Sequence, residues 1–408
     1  MVGAGAREHA LAWRLASSAS VTVTPGNAGI AAHGIACTPA PATELDAELF
    51  VIGPEAPLVD GLADRLRDQG KVVLGPGAAG ARLEGSKAYL KEFLTAAGVP
   101  TAKYGAFSSY EEAAAFLRSM APPYVVKTDG LAAGKGVLVT ADLDDAMRDV
   151  REKLSGAAFG VAGSTVVIEE GLTGEECSLL YLCDGAVVAP LAPAQDFKRV
   201  ANGDAGANTG GMGAYAPMTG APEAEVRARI VEPTLAELER RGIEFRGVLY
   251  AGVMLSAAGP HLLEYNVRFG DPETEALMAI VNDDLFDRLR GFAERRGTPD
   301  PLGAAGSAVT VVLASPGYPE RPRAGGVIEG LAANGQLATP VEGVVVFHAG
   351  TARDAAGRFV TAGGRVLAVT AVGSTLAEAR ARAYRACALV HFEGMVMRTD
   401  IAARVGQP

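Results

Sequence analysis

Cysteine and positive charge are both scarce in this chain. Its 408 residues include 4 cysteines, which form neither a CxxC pair nor a Cys/His metal pattern, so the sequence predicts reduced thiols rather than disulfides or a zinc site. The formal net charge is −10. Nucleic acids and anionic membranes bind to basic surfaces, so we expect neither to be a partner of this chain.

Long apolar runs are also missing. No stretch reaches the length of a membrane span, and the first residues, MVGAGAREHALAW, lack the basic and then apolar pattern of a signal peptide. We therefore expect a cytoplasmic protein. A hydrophobic content of 49% is enough for about two to four domains with cores of their own.

The most informative stretch runs from Tyr124 to Val139 and reads YVVKTDGLAAGKGVLV. Two β-branched runs enclose a loop with glycines and lysines, which predicts a pair of strands with a cationic tip. Glycine lets backbone N–H groups approach an anion and lysine adds positive charge, so the loop suits a polyphosphate. A mobile surface turn with solvated lysines is the alternative. The residues of this candidate phosphate loop are Lys127, Gly130, Gly134, Lys135 and Gly136.

The N-terminal region alternates short strands and helices. Strands are predicted at 21–24, 49–52 and 72–74, each followed by a glycine- and proline-containing turn, and a helix is predicted at 58–69. This alternation indicates a small parallel sheet with ligand loops at the carboxyl ends of its strands. A dinucleotide site of an oxidoreductase is disfavoured, because no strand precedes the first glycine turn and no acid follows about twenty residues later.

Two polar stretches without apolar periodicity follow the phosphate loop. Residues 195–199 read QDFKR, and residues 208–215 read NTGGMGAY. Glycines, amides and paired charges are typical of an ordered loop that holds a ligand, although a flexible loop has a similar composition. Glu169 and Glu170 come directly after a predicted buried strand, where solvated turn residues are the simpler interpretation.

A strand predicted at 261–265 leads into a candidate metal site. Alternate residues of a strand face the same side, so Glu264, Asn266 and Arg268 should lie together. Two oxygen ligands and a guanidinium are costly to bury unless they serve a metal ion and an anion. Oxygen ligands suit magnesium with a nucleotide better than zinc. A polar face at a domain surface is the alternative.

Ten motifs in order carry a family resemblance over nearly the whole chain. They are GAREHALAW, PGNAG, GPEAPL, EGSKA, KTDGLAAGKGV, EEGLTGEECS, QDFKR, NTGGMGAY, EYNVRFGDPE and FHAGT. With these motifs the chain resembles the phosphoribosylamine–glycine ligases, also called glycinamide ribonucleotide synthetases, of the ATP-grasp superfamily. The resemblance implies α/β and α+β domains: an ATP-grasp fold, an N-terminal small parallel-sheet domain of the pre-ATP-grasp, Rossmann-like type and a C-terminal α+β domain.

Domain boundaries follow from helix signals and composition. A capped helix that begins at Ser86 places the first boundary near 83, and Gly/Pro-rich turns between strands begin near 300. Ser109 and Asp142 are predicted to cap two further helices. The expected domains are 1–83, which we predict to lack its first strand, 84–300 with a lid at about 102–171, and 301–408.

The resemblance implies a reaction of de novo purine synthesis. Glycine would be joined to 5-phosphoribosylamine while ATP becomes ADP and phosphate. The glycine carboxylate would attack the γ-phosphoryl group to give glycyl phosphate, and the amine would then displace phosphate. Mg²⁺ or Mn²⁺ would bridge the phosphates of ATP. We expect a monomer or weak homodimer whose partners are these small molecules.

Roles for single residues also follow from the resemblance. Arg268, Lys135 and Asp196 would be catalytic, and Glu264 and Asn266 would hold the metal ion. The ATP-binding set would be Lys87, Lys127, Gly134, Lys135, Gly136, Glu169, Glu170, Leu172 and Glu176, with 169–172 at the adenine through backbone groups and Glu176 at the ribose. The set for 5-phosphoribosylamine would be Arg7, Glu8, Asn27, Glu55, Asp196, Lys198, Arg199, Asn208, Thr209, Gly210, Gly211, Met212 and Asp271.

Three departures from the family pattern leave other hypotheses open. The strand before the first glycine turn is not evident, the stretch at 36–46 is short, and Phe197 replaces the family's histidine in QDHKR. An active ligase is the leading hypothesis. A ligase for another acceptor and a nucleotide-binding protein with lost or altered acceptor specificity are the alternatives.

Overall fold

A computed structural model describes residues 1–131, 136–156 and 164–403. The mixed helix and strand content agrees with the α/β and α+β architecture that the sequence predicts. None of the helices within those ranges is long and apolar enough to cross a membrane. Gly134 and Lys135, two residues of the candidate phosphate loop, lie outside the described residues.

The N-terminal region contains two small parallel sheets. A parallel bridge between Val2 and Ile52 connects them. The strands are β1 (Val2–Gly3), β2 (Thr22–Pro25) and β3 (Ala36–Cys37) in one sheet, and β4 (Phe50–Val51) and β5 (Val73–Leu74) in the other. The helices are α1 (Ala6–Leu15), α2 (Ala28–Ala32), α3 (Glu55–Val59), α4 (Leu62–Asp68) and α5 (Ala78–Gly85).

Two sequence predictions for this region are wrong. The region does not lack its first strand, because Val2 pairs with Thr24 and so forms β1. The helix predicted at 58–69 is interrupted between α3 and α4, since Gly61 takes a φ of 76° that no α-helix accommodates. The short stretch at 36–46 holds only β3 and one 3-10 turn, Ala42–Glu44, in agreement with its length.

A four-stranded antiparallel sheet and two helices make up the region that the sequence predicts to be a lid. The sheet order is β6-β9-β7-β8. The elements are β6 (Tyr104–Phe107), α7 (Tyr110–Arg118), β7 (Tyr124–Thr128), β8 (Val137–Thr140), α8 (Leu143–Leu154) and β9 (Val166–Glu170). The predicted helix caps are confirmed, since the side chains of Ser109 and Asp142 accept backbone N–H groups of Glu112 and Asp145. The pairing of β7 with β8 also confirms the predicted strand pair around the phosphate loop.

A second antiparallel sheet, of order β11-β10-β16-β17, forms the floor of the central region. Its strands are β10 (Glu175–Cys183), β11 (Val188–Pro190), β16 (Gly247–Ser256) and β17 (Gly259–Asn266). The helices are α6 (Lys87–Ala97), α9 (Glu223–Val226), α10 (Glu232–Arg240), α11 (Glu273–Ile280) and α12 (Leu285–Ala293). Because β17 ends at Asn266, its polar carboxyl end opens onto the loop that carries Arg268.

The C-terminal sheet recruits strands from the central region. Its order is β12-β15-β18-β22-β19, so two strands that precede residue 300 in the sequence belong to it. The strands are β12 (Gln195–Asp196), β15 (Gly213–Ala216), β18 (Ser307–Ala314), β19 (Val344–His348) and β22 (Arg365–Gly373). Two small hairpins and one helix accompany this sheet. The hairpins are β13 (Arg199–Ala201) with β14 (Ala205–Asn208) and β20 (Thr351–Arg353) with β21 (Phe359–Thr361), and the helix is α13 (Leu376–Cys387). This interleaving brings both polar loops to the boundary between the regions.

Candidate active site

One large cleft, of about 1270 Å³, lies where the N-terminal region, the lid, the central sheet and the C-terminal sheet meet. Residues from all four contribute to its wall, among them Arg7, Lys127, Glu264 and Arg365. The predicted site residues that line it are Arg7, Glu55, Lys87, Lys127, Gly136, Glu169, Glu170, Leu172, Glu176, Asp196, Lys198, Arg199, Asn208, Thr209, Gly210, Glu264, Asn266, Arg268 and Asp271. The fold therefore gathers residues from eight of the ten sequence motifs into one space.

Lysines concentrate at the lid side of the cleft. Lys127, at the end of β7, contacts Oε1 of Glu169 at 2.8 Å and donates to the carbonyl oxygen of Leu263 at 3.3 Å. Lys87 donates to the carbonyl oxygen of Gly130 at 2.8 Å and so holds the phosphate loop from the other side. Burial lowers the pKa of Lys87, whereas Glu264 raises it. This end of the cleft is thus suited to bind a polyanion.

The side chain of Glu169 forms ion pairs with two lysines of the protein, Lys127 and Lys91. Its second oxygen contacts Lys91 at 3.0 Å, and the carboxylate is almost fully buried. Although burial raises the pKa of Glu169, the two lysines lower it overall. The neighbouring Glu170 accepts the backbone N–H of Lys103 at 2.8 Å. Sequence reasoning missed Lys91, which stands in the EGSKAYLKEF stretch on the buried side of α6.

Glu264 and Asn266 project from β17 into the cleft, as the alternation of the strand predicts. Lys198 lies between Glu264 and Glu176, at 3.3 and 3.2 Å from their oxygens. Lys198 is the main reason that the pKa of Glu264 falls to about 2. Two carboxylates that already surround a cation, with an amide oxygen on the same strand as one of them, fit a hard divalent metal ion such as Mg²⁺.

Arg268 extends the same polar face into a charge network. Its guanidinium contacts Glu84 at 2.9 Å and Glu55 at 3.3 Å, and it donates to Oδ1 of Asn266 at 3.0 Å. Burial lowers the pKa of Arg268, but the two carboxylates outweigh burial and raise it. A permanently charged group thus stands beside the candidate metal ligands. Sequence reasoning missed Glu84, the first residue of the EGSKA motif.

Asp196 lies in a buried acidic group behind the polar loops. Burial and the nearby Glu273 raise its pKa well above the usual range, and its Oδ1 has no hydrogen-bond partner in the described part of the chain. Glu273 itself accepts hydrogen bonds from the hydroxyl groups of Ser178 and Tyr250. A carboxylate with a raised pKa is a stronger base, so the ionised form of Asp196 is suited to accept a proton from an amine in the cleft.

The C-terminal sheet supplies an arginine that the sequence reasoning missed. Nη1 of Arg365 contacts Asp271 at 3.0 Å and donates to the backbone carbonyls of Gly210 and Asp271. The hydroxyl of Tyr318 accepts the backbone N–H of Gly210 at 3.0 Å. Both side chains line the cleft. They hold the NTGGMG loop in place, although Arg365, at the start of β22, lies 155 residues after Gly210 in the sequence.

Phe197 contacts the C-terminal segment at 397–400. The guanidinium of Arg398 lies 5.0 Å from the centre of its ring. The same guanidinium contacts Asp204 at 2.8 Å and Asp400 at 2.7 Å, and so ties the β13–β14 hairpin to this segment. An aromatic ring at position 197 thus has a cationic partner in this chain.

Four predicted substrate residues do not line the cleft. Glu8 accepts the backbone N–H of Gly5 and contacts Arg7, each at 2.6 Å. Asn27 caps α2 and donates to the carbonyls of Ala4 and His348, so all of its polar groups are used within the protein. The remaining residues are Gly211 and Met212, which are buried members of the NTGGMG loop.

Family models match the chain in three consecutive parts. The N domain of phosphoribosylglycinamide synthetase matches residues 1–84, its ATP-grasp (A) domain residues 85–274 and its C domain residues 308–404.

Similar proteins carry a consistent name. The phosphoribosylamine–glycine ligase of Xylella fastidiosa strain Temecula1 is 46% identical over 426 residues, which cover 99% of this chain and 97% of that protein. The enzyme of the same name from Brucella melitensis is 45% identical, with 99% and 97% covered.

Solved structures agree in fold. The crystal structure of phosphoribosylamine–glycine ligase from Thermotoga maritima is 36% identical, with a TM-score of 0.86 and 98% of each chain covered. The biotin carboxylase domain of the Hydrogenobacter thermophilus 2-oxoglutarate carboxylase is 16% identical, with a TM-score of 0.72 over 97% of this chain and 90% of that one, so it shows the fold alone.

Proposed function

The chain belongs to the phosphoribosylglycinamide synthetase family, and on that premise we propose that it joins glycine to 5-phosphoribosylamine with ATP. The ATP-grasp fold and the family membership make it an ATP-dependent ligase. The single observation that carries the proposal further is the cleft itself. It combines a lysine-rich end, two oxygen ligands on one strand and an acceptor wall from three regions in one continuous space.

We assign the lid side of the cleft to ATP. Lys87 and Lys127 would contact its phosphates, and Glu176 would accept from the ribose hydroxyls. The candidate metal ligands Glu264 and Asn266 would hold a divalent ion, Mg²⁺ or Mn²⁺, which when bound would neutralise charge on the phosphates. Lys198 lies between Glu176 and Glu264. When nucleotide and metal ion bind, Lys198 would either move away or share these two carboxylates with the ribose and the metal ion.

The opposite wall would receive 5-phosphoribosylamine. Arg7, Glu55, Arg199 and the loop from Asn208 to Gly210 line it. To this set we add Arg365, because it fixes the loop and faces the cleft. A phosphate ester requires cationic groups of this kind. The rival hypothesis of a nucleotide-binding protein without an acceptor is not favoured, since the similar proteins are named as ligases and match over almost their whole length.

Two displacements would make up the reaction. A carboxylate oxygen of glycine would attack the γ-phosphorus of ATP, and the bond to ADP would break. The amine nitrogen would then attack the carbonyl carbon of glycyl phosphate and expel phosphate, while a proton leaves the nitrogen. Arg268 would stabilise charge on the acyl phosphate, and Asp196 would assist the proton transfer in its deprotonated state. The closed cleft would exclude water from the intermediate.

An isotope experiment tests the intermediate. Glycine labelled with ¹⁸O in its carboxylate is supplied with ATP, magnesium and 5-phosphoribosylamine, and the phosphate released is analysed by mass spectrometry. The proposal predicts one ¹⁸O atom in each phosphate, because a carboxylate oxygen leaves with phosphorus. Unlabelled phosphate would contradict a glycyl phosphate pathway.

A further inference from the structure

Lys91 is a charged residue that lies behind the cleft wall. It projects from α6, and only 1% of its side chain is exposed. Its ammonium group donates to Oγ1 of Thr101 at 2.7 Å and contacts Oε2 of Glu169 at 3.0 Å. Thr101 in turn donates to the carbonyl of Leu262 at 2.7 Å, in the strand that carries the candidate metal ligands. A buried lysine with this many specific contacts has a defined place in the site.

Two lysines share the single carboxylate of Glu169. Lys91 contacts one oxygen and Lys127 the other, at 3.0 and 2.8 Å. The group of three therefore carries one net positive charge in a nearly dry environment. Such an excess is costly unless an anion compensates it. Lys127 and Glu169 line the cleft and Lys91 does not. A ligand in the cleft would therefore meet the excess positive charge at Lys127.

We infer that Lys91 is a positioning residue for the ATP phosphates: by engaging Glu169 it orients Lys127 and prevents its charge from being neutralised. The inference rests on the proposed function, since it takes the anion to be ATP. Without Lys91, Glu169 would pair with Lys127 alone. The pair would be neutral, and the attraction for a phosphate would be lost.

The charged surroundings of Lys91 agree with this role. Glu169 on β9, Lys127 on β7 and Glu264 on β17 face it, and its ammonium group lies 5.8 Å from the ring of Tyr104 on β6. Burial lowers the pKa of Lys91 to about 8, while the two carboxylates raise it. The lysine is therefore mostly protonated at neutral pH.

Calorimetric titration with MgATP, in the absence of glycine and amine, tests the inference. The variants are Lys91→Met, Glu169→Gln and the double variant. Lys91→Met should bind ATP about tenfold more weakly, the effect of one unit charge roughly 10 Å away at an effective dielectric constant of about 20. The double variant removes one charge of each sign and should recover most of the affinity.

Two controls separate this role from a structural one. Lys153→Met removes another buried lysine, which pairs with Asp149 on the lid helix α8 and does not line the cleft, and it should leave ATP affinity unchanged. Adenosine has no phosphate, so Lys91→Met should bind it as the wild type does.

Three outcomes would overturn the inference. These are wild-type affinity in Lys91→Met, equal weakening in the single and double variants, or equal weakening for ATP and adenosine. Ligase turnover of the wild type, measured in parallel, tests the proposed function separately. A wild type that turns over while Lys91→Met binds normally would refute the inference alone.

Discussion

Acid should weaken the contact between the N-terminal region and the C-terminal sheet through three histidines. Nδ1 of His9 accepts the backbone N–H of His348 at 2.9 Å, so the proton of His9 is on Nε2 and is donated to His33 at 2.9 Å. Nε2 of His348 donates to the carbonyl of Gly335 at 2.8 Å, and its Nδ1 contacts the hydroxyl of Thr351. A second proton on His9 would sit on Nδ1 and would face the backbone N–H of His348, which is itself a donor. This contact therefore requires a neutral His9, and burial lowers the pKa of His348 and His33.

The size of the stability loss at acid pH follows from the pKa of His348. Burial lowers it from 6.5 to about 4, and burial also lowers the pKa of His9 well below the usual range. The unfolded chain takes up these protons first as the pH falls. Stability is thus fully present above pH 6.5 and is lost as the pH falls towards 4. For His348 the loss is about 3 kcal/mol in total, or about 2 kcal/mol by pH 5.

The only tryptophan of the chain reports on this contact. Trp13, on α1, lies 5.6 Å from the ring of Phe347, the residue before His348. Urea unfolding followed by its fluorescence should show a large fall in stability between pH 7 and pH 5 in the wild type. His348→Gln should reduce that fall by about 2 kcal/mol, because it removes one titrating group. His391→Gln, at an exposed position, is the matched control and should not change it. An equal fall in the wild type and His348→Gln would refute the reasoning.

Three further predictions concern the cleft. Glu264→Gln should raise the magnesium concentration needed for half-maximal ADP release at least tenfold, and an unchanged requirement would remove Glu264 from the metal site. Arg365→Met should raise the KM for 5-phosphoribosylamine more than tenfold with little change in the KM for ATP, because it leaves Asp271 without its ion pair; equal increases in both constants would contradict the assignment. Arg398→Met should also raise the KM for the amine, since it frees the β13–β14 hairpin, and steady-state kinetics with unchanged constants would show that the hairpin is held by its other contacts.

Local sequence rules predicted the parts of the site that one element controls. Strand alternation placed Glu264 and Asn266 on one face, because successive side chains of a strand must point to opposite sides. Cap residues marked helix starts correctly at Ser86, Ser109 and Asp142, since each supplies an oxygen to a free backbone N–H. Features that depend on a single strand or a single helix start could therefore be predicted from the sequence.

Contacts between distant segments could not be predicted in the same way. Arg365 reaches Asp271 across 94 residues, and nothing in the apolar strand that it begins marks it as functional. Strand β1 was missed because its two residues carry no pattern of their own and depend on pairing with β2. Asn27 has the composition of a ligand residue, but its helix-capping role uses its oxygen, and its amide donates to two loop carbonyls.

The most direct test of the central claim is ADP release by the purified protein with ATP, magnesium, glycine and freshly generated 5-phosphoribosylamine, each omitted in turn. The account predicts that rapid release requires both glycine and the amine, because both must occupy the cleft for the ligation to be completed. Release that does not depend on glycine, or ATP binding without any release, would contradict it.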